Sequence, residues 1–255
     1  MFLYPPRAYI VIPARIGSTR LPEKMMLAAT GKPLVQHTYE NACRSQLAAG
    51  VIVATDHPAI VEAIEQIGGR AMLTSESCAS GTDRVAEVAA QLPEADILVN
   101  VQGDEPELDP GSIDGLIESL ADDLVAPMAT LATPITDRQL LTNPACVKVV
   151  MDQQGRALYF SRSAIPFVRD VEEVPLEGES PLFHQHLGVY AYRRDFLLRL
   201  AQHPPTPLEL AEKLEQLRVL QMGQTIRVEV VERASVGIDT ADDYAQFVAR
   251  ARRAA

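Results

Sequence analysis

The chain has 255 residues, 47% of them hydrophobic, which is enough to bury a sizeable core and excludes a disordered protein. Its net charge of −11 excludes a general nucleic-acid binder, because such affinity comes mostly from Lys and Arg on phosphates. Cys43, Cys78 and Cys146 show neither disulfide nor metal-site spacing, so they are expected as reduced thiols packed as small core residues.

The opening stretch MFLYPPRAYIVIPAR has no basic leader followed by a long apolar run. Nowhere are there about 18 consecutive apolar residues, so no membrane span is expected, and a cytoplasmic setting fits. Within it AYIVIPA reads as a buried strand, and residues 33–50 carry a helical pattern. Next come VIVATD as a strand, a helix over 57–69, RAMLTS as a strand, a helix over 81–93, and the strand that enters NVQGDEP. The short runs are nearly continuous in Val and Ile, as in strands covered on both faces. The longer ones space apolar residues by three and four: Val61, Ile64 and Ile67, then Val85, Val88 and Ala89. Pro58 and Asp83 mark helix starts, and Gly68 with Gly69 a helix stop.

From about Ala126 the rhythm becomes strand-rich, through APMATLATPI, CVKVVMD, ALYFSRSAIPF and FHQHLGVYAYR. An acidic, Pro- and Gly-bearing stretch at 168–183 reads as a mobile surface loop. A helix over 207–223, the strand TIRVEVVE and a closing helix from 240 restore the alternation. These elements predict an α/β fold: a mainly parallel central sheet with helices on both faces. One domain over 1–255 is expected, with 126–205 as a β-rich insertion.

Ligands of such sheets bind beyond the carboxyl ends of the strands. There IPARIGSTRLPEK places Arg15, Arg20 and Lys24 around a loop with Gly17. Residues 1–32 carry a local charge of +4 while the rest of the chain sums to −15. Exposed N–H groups with Arg and Lys suit phosphate oxygens, although a solvated cluster of cations reads equally well from spacing alone. Neither G-x-G-x-x-G nor G-x-x-x-x-G-K-[ST] occurs, which argues against a nicotinamide dehydrogenase and a P-loop NTPase. NVQGDEP brings Gln102, Asp104 and Glu105 to the same edge, and a carboxylate there suits Mg²⁺ shared with phosphates. Asp56 and Asp239 each follow a strand, where a helix cap is the ordinary role, and Thr240 competes with Asp239 for its cap.

IPARIGSTRLPEK, GKPLVQHTYE, VIVATDHPAI, SGTDRVAE, NVQGDEP, NPACVKVV, ALYFSRSAIPF, HLGVYAYR, TPLELAEKLEQLRVL and GIDTADD run in order from Tyr9 to Asp243. In them the chain resembles the 3-deoxy-manno-octulosonate (Kdo) cytidylyltransferases. The resemblance implies a Rossmann-like nucleotidyltransferase fold and the reaction of CTP with Kdo to CMP-Kdo and diphosphate, for lipopolysaccharide biosynthesis. It implies Mg²⁺ on Asp104 and Asp239, the triphosphate on Ala14, Arg15, Ser18 and Lys24, and cytosine beside Ser80, Gly81 and Arg84. Gln102 would lie near both substrates, and Arg162, His186, Tyr190, Glu209 and Gln216 near Kdo. Arg15, Lys24, Asp104 and Asp239 would be the catalytic set, in a cytoplasmic homodimer whose insertion serves sugar binding and dimerisation.

Two segments depart from the family pattern. Glu23 and Met25 stand where glycine and proline are usual on either side of Lys24, and Gln185 where arginine is usual before the histidine of HLG. His184 is expected at the surface, and Glu212, Lys213 and Glu215 on a solvated helix face. The competing readings are a sialic-acid cytidylyltransferase and a nucleotide-binding regulator without turnover.

Overall fold

The computed structural model describes residues 6–18, 20–170, 176 and 181–254. Most of the acidic stretch expected as a mobile loop, and the first five positions, lie outside the described residues. The first half of the chain comprises β1 (Ala8–Ala14), α1 (Leu34–Ala42), β2 (Ala48–Thr55), α2 (Pro58–Glu65), β3 (Arg70–Leu73), α3 (Gly81–Ala90) and β4 (Ile97–Asn100). After α4 (Pro110–Asp122) come β5 (Met128–Pro134), α5 (Arg138–Thr142), β6 (Lys148–Met151), β7 (Ala157–Ser161), β8 (His184–Arg193) and α6 (Arg194–Gln202). The chain closes with α7 (Pro207–Glu212), α8 (Gln216–Gln221), β9 (Ile226–Val230) and α9 (Ala241–Ala254).

Among the described residues the strands form one sheet in the order β3-β2-β1-β4-β8-β5-β9, with the β6–β7 hairpin branching from β8. β1 to β4 are mutually parallel, β8 runs antiparallel between β4 and β5, and β9 is parallel to β5. The mainly parallel α/β sheet expected from the alternation is therefore present. Of the strands in 126–205, β5 and β8 belong to the central path itself.

Period-two alternation in β1 explains the layering. Tyr9 and Val11 pack on one face with Val85 and Val88 of α3 and Phe196, Leu197 and Leu200 of α6. Ala8, Ile10 and Ile12 pack on the other with α1, α2 and α4. Each fully buried Ile or Leu in these layers contributes roughly 1.5–3 kcal/mol.

Several local expectations change. The helix expected over 33–50 stops at Ala42, because Asp114 binds Ser45 Oγ and the N–H groups of Gln46 and Leu47, turning the chain into β2. α2 buries Ile60 and Ile64, whereas Ile67 is exposed because the helix ends before it. At Gly69 any Cβ would meet Ile64 Cγ2 at 2.6 Å and the Tyr39 ring at 2.9 Å, so close packing requires glycine there, while Gly68 makes the turn at φ 75°. The helix expected over 207–223 is broken at Lys213, whose φ of 54° lies in the left-handed region. Helices α4, α5 and α6 were not anticipated by the pattern, although α4 has Asp109 as its cap and Pro110 at its first position. Of the three thiols only Cys146 is a core residue; Cys78 is half-buried and Cys43 exposed.

Candidate active site

The order of strands reverses direction between β1 and β4, since β2 and β3 lie on one side of β1 and β4 on the other. A cleft opens beyond the carboxyl ends of these two strands, the usual binding place in open α/β sheets. Arg15, Ser18, Arg20 and Lys24 line it from the loop after β1, and Gln102, Gly103 and Asp104 from the loop after β4. Ala14, the last residue of β1, is buried beneath that loop. Gly103 lets the two loops touch: a Cβ there would lie 3.0 Å from Met25 Sδ and from the Pro13 carbonyl oxygen. Thr38 Oγ1 donates to the Gly103 carbonyl at 2.8 Å and pins this approach from α1.

The acids meet at one cation. Lys24 Nζ donates to Asp104 Oδ2 at 2.5 Å and to Asp239 Oδ1 at 3.2 Å, while Arg20 Nη2 donates to Asp239 Oδ1 at 2.8 Å. Asp239 is free for this because the start of α9 is capped by others. Thr240 Oγ1 accepts from the Asp243 N–H, and the Asp243 carboxylate accepts from the N–H groups of Asp239 and Thr240. The competition between Asp239 and Thr240 for the cap is thus resolved in favour of Thr240. The backbone joins the two segments again where Ile238 N–H donates to the Asp104 carbonyl at 2.9 Å. Among the described residues no three His, Cys, Asp or Glu form a metal cage. Two carboxylates converging on one cation beside a cationic loop nevertheless fit Mg²⁺, which uses one or two carboxylates and completes its shell with waters and substrate phosphates.

Arg15 is exposed and has no hydrogen-bond or ion-pair partner among the described residues. Glu23 stands at φ 50°, the conformation that the glycine usual at this place adopts at no steric cost. Its side chain is exposed and does not line the cleft, so it does not compete with an anionic ligand for Lys24. Glu105, beside Asp104, accepts from Ser235 Oγ at 2.6 Å. Burial, together with the charges of Asp104 and Asp239, raises its carboxyl to about 7 against that hydrogen bond.

The opposite wall is the start of α3. Ser80 is its N-cap in a reciprocal capping box with Asp83, and Gly81 leaves the wall narrow, where a Cβ would stand 3.4 Å from Pro13 Cγ. Arg84 is 4% exposed and held by Thr74 Oγ1 and by Asp56 Oδ2 at 3.0 Å. Asp56 also accepts from Ile16 N–H at 3.2 Å, so it braces the loop after β1 against α3. It is not a helix cap; His57 Nδ1 fills that role by accepting from Ala59 N–H.

The residues expected near the sugar fall into two groups. His186, Tyr190 and Gln216 form one buried cluster: Tyr190 Oη donates to Gln216 Oε1 at 3.3 Å, and His186 Nε2 lies 3.0 Å from Thr130 Oγ1. Glu215 lines both the cleft and the small cavity behind it that Tyr190 and Gln216 line, so this cluster sits directly beyond the cleft wall. Arg162 and Glu209 are turned to other partners. Arg162 donates to the carbonyls of Pro144, Glu212 and Lys213, closing the end of α7. Glu209 is paired with Arg218 and accepts from Thr206 N–H. Of the three residues expected on a solvated helix face, Lys213 and Glu215 are exposed, whereas Glu212 accepts from Ser161 Oγ and Arg162 N–H. His184 is buried, contrary to the surface position expected, because β6 pairs with β8 at this point.

Burial drives the His186 imidazole down to about 3, so it is neutral in the folded protein. An unfolded histidine takes up a proton below about 6.5, so the His186 contribution to stability is present above that pH and is lost as pH falls toward 3. Between pH 7 and pH 5 this amounts to roughly 2 kcal/mol. Urea unfolding at the two pH values should show a drop that shrinks by that amount in His186→Asn. An unchanged drop would contradict the buried neutral imidazole.

A family model described as Cytidylyltransferase matches residues 9–226. A 3-deoxy-manno-octulosonate cytidylyltransferase of Rhodopirellula baltica is 49% identical over 245 residues, 96% of this chain and 98% of that protein. Its counterpart in Geotalea daltonii is 48% identical over 244 residues, covering 94% and 96% of the two chains. A solved CMP:2-keto-3-deoxy-manno-octonic acid synthetase complexed with CTP is 41% identical and superposes with a TM-score of 0.90 over 98% of this chain and all of that one. A 4-diphosphocytidyl-2C-methyl-D-erythritol synthase from Anaerococcus prevotii, at 15% identity and a TM-score of 0.65, shares the fold. With nearly half of its residues shared along almost its whole length, the chain belongs to the 3-deoxy-manno-octulosonate cytidylyltransferase family.

Proposed function

We propose that the protein is the enzyme that activates Kdo: CTP and 3-deoxy-D-manno-octulosonate give CMP-Kdo and diphosphate. The observation that carries the reading is the meeting of Asp104 and Asp239 at Lys24, inside a cleft whose rim also holds Arg15. That set combines cations for a triphosphate with a two-carboxylate place for a divalent ion. In the reaction the anomeric hydroxyl of Kdo gives up its proton to solvent, its oxygen forms a bond to the α-phosphorus of CTP, and the bond from that phosphorus to the oxygen bridging to the β-phosphate breaks, so that diphosphate leaves. Such transfer is mainly positioning and charge neutralisation.

In this reading Arg15, Lys24 and the N–H groups around Ser18 hold the triphosphate, while Ser80, Gly81 and Arg84 border the cytosine. Gln102, which donates to the Gly188 carbonyl at 3.1 Å, would lie near both substrates. Asp104 and Asp239 would hold Mg²⁺, which when bound supplies Lewis-acid neutralisation of phosphate charge. His186, Tyr190 and Gln216 lie behind the Glu215 wall, where a sugar reaching past the α-phosphate would meet them. Arg162 and Glu209 would reach the sugar only on leaving their present partners.

Among the described residues no helix is long and apolar enough to cross a membrane. A cytoplasmic place, a role in lipopolysaccharide biosynthesis and a homodimer follow from the family reading. The exposed Leu158, Phe167 and Leu182, all within the stretch 126–205, support an apolar contact with a second copy.

The test is diphosphate release from CTP and Mg²⁺ with each acidic sugar. Release is expected with Kdo at a rate at least about 100-fold above that with N-acetylneuraminate. Release with the sialic acid alone would overturn the choice of sugar, and release with neither would overturn the reaction.

A further inference from the structure

The cations that face the triphosphate end of the cleft are not equivalent. Arg15 has no partner among the described residues, whereas Lys24 bridges Asp104 and Asp239, and Arg20 holds Asp239 a second time. The two carboxylates therefore already carry counter-ions from the loop after β1, the same loop that offers its charge to the phosphates. One ammonium cannot neutralise both a carboxylate pair and a triphosphate at full strength, so the two demands compete.

We infer that Lys24 and Arg20 are exchangeable counter-ions of the metal carboxylates. Without nucleotide they hold the place where Asp104 and Asp239 meet. The triphosphate draws them away, and the freed carboxylates then accept the divalent cation. The inference rests on reading Asp104 and Asp239 as the Mg²⁺ ligands.

Three features of the structure support such an exchange. Lys24 stands on a short 3-10 turn, Lys24–Met26, in which Lys24 and Met25 are buried, so its backbone is anchored while its ammonium, already shared between two carboxylates, changes partners. The Arg20 side chain is 69% exposed and its partner Asp239 42% exposed, so their bond is made in water and parts at little cost. Asp104 and Asp239 are joined through the backbone by Ile238 N–H and the Asp104 carbonyl, so they remain together when the cations leave. Arg20 is accordingly a positioning residue for Asp239.

A consequence is order: at this place the nucleotide favours the metal and the metal favours the nucleotide, by the same factor, because binding linkage is reciprocal. A metal that could occupy the carboxylates before CTP would leave Lys24 already displaced. The wild-type arrangement suppresses that state.

The exchange is read directly by titrating nucleotide-free protein with Mn²⁺ and following free Mn²⁺ by electron paramagnetic resonance. Lys24→Met removes the competing ammonium and is expected to tighten Mn²⁺ binding by about tenfold, within the usual range of coupling between sites. Arg20→Met, at an exposed side chain that the fold does not need, is expected to tighten it by about threefold and carries the test if Lys24→Met does not fold. The double variant Asp104→Asn with Asp239→Asn is expected to lose the binding. If the double variant binds Mn²⁺ as wild type does, the two-carboxylate site itself is wrong. If that variant loses binding while Lys24→Met and Arg20→Met bind no more tightly than wild type, the exchange alone is overturned.

Discussion

Asp104→Asn should lower the rate of diphosphate release by roughly 10³-fold, because neutralisation of phosphate charge by a bound metal is worth several kcal/mol and each 1.36 kcal/mol is a factor of ten. The substitution is nearly isosteric, and the carbonyl that accepts from Ile238 N–H is backbone, so the link to the segment bearing Asp239 survives. Lys24 keeps its second partner in Asp239 and stays in the cleft. Metal-free CTP binding, measured by calorimetry in the presence of EDTA, should therefore remain. A variant that bound CTP and still turned over at the wild-type rate would exclude Asp104 from the metal site. One that lost CTP binding in EDTA would show that Asp104 acts on the nucleotide itself.

The largest expected loss of stability lies away from the cleft, at Arg218. Its guanidinium forms a two-point pair with the Glu209 carboxylate and also donates to the His203 carbonyl at 3.1 Å. The two side chains are only 12% and 8% exposed. Burial alone would raise the Glu209 carboxyl, but the bonds from Arg218 and from Thr206 N–H outweigh it and hold the group below its usual range. Removing one member of a buried pair leaves the other charged and unpaired, at a cost of about 3–5 kcal/mol. For a chain of this size Arg218→Met should lower Tm by on the order of 10 °C. A loss under about 1 kcal/mol would show that Glu209 finds water or another partner when Arg218 is absent.

The same pair distinguishes two roles for Glu209. Glu209→Gln keeps an acceptor for Thr206 N–H but loses the charge facing Arg218. If Glu209 serves only α7 and α8, this variant melts earlier with an unchanged KM for Kdo. If it also reaches the sugar, KM rises as well.

Much of the fold was legible because its signals are local. The continuous Val and Ile runs of β1, β2 and β4 report burial on both faces whatever lies beyond them. Pro58, whose fixed φ suits a first helical position, and Asp83, in a first turn, mark helix starts through effects confined to that turn. The site was legible for the same reason: residues at a strand end in a parallel sheet converge on one edge, so Arg15, Lys24, Gln102 and Asp104 could be placed together.

What local signals could not carry is partner choice. The apolar spacing of 207–223 reads as one helix, yet the chain turns at Lys213, between the two members of the pair formed by Glu209 on α7 and Arg218 beyond the turn. Asp56 looked like a cap until the fold brought Ile16 and Arg84 to it, and His184 looked exposed until β6 covered it. By itself, then, the sequence determined the alternation of strands and helices, the edge where the candidate site lies and the kinds of charge assembled there. These follow from the periods of helix and strand and from the handedness of their connections. Only the tertiary structure decided that Lys24 stands between Asp104 and Asp239, that Arg20 shares Asp239, and that Arg162 and Glu209 face the protein. Each of these is a contact between segments far apart in the chain, set by packing and desolvation.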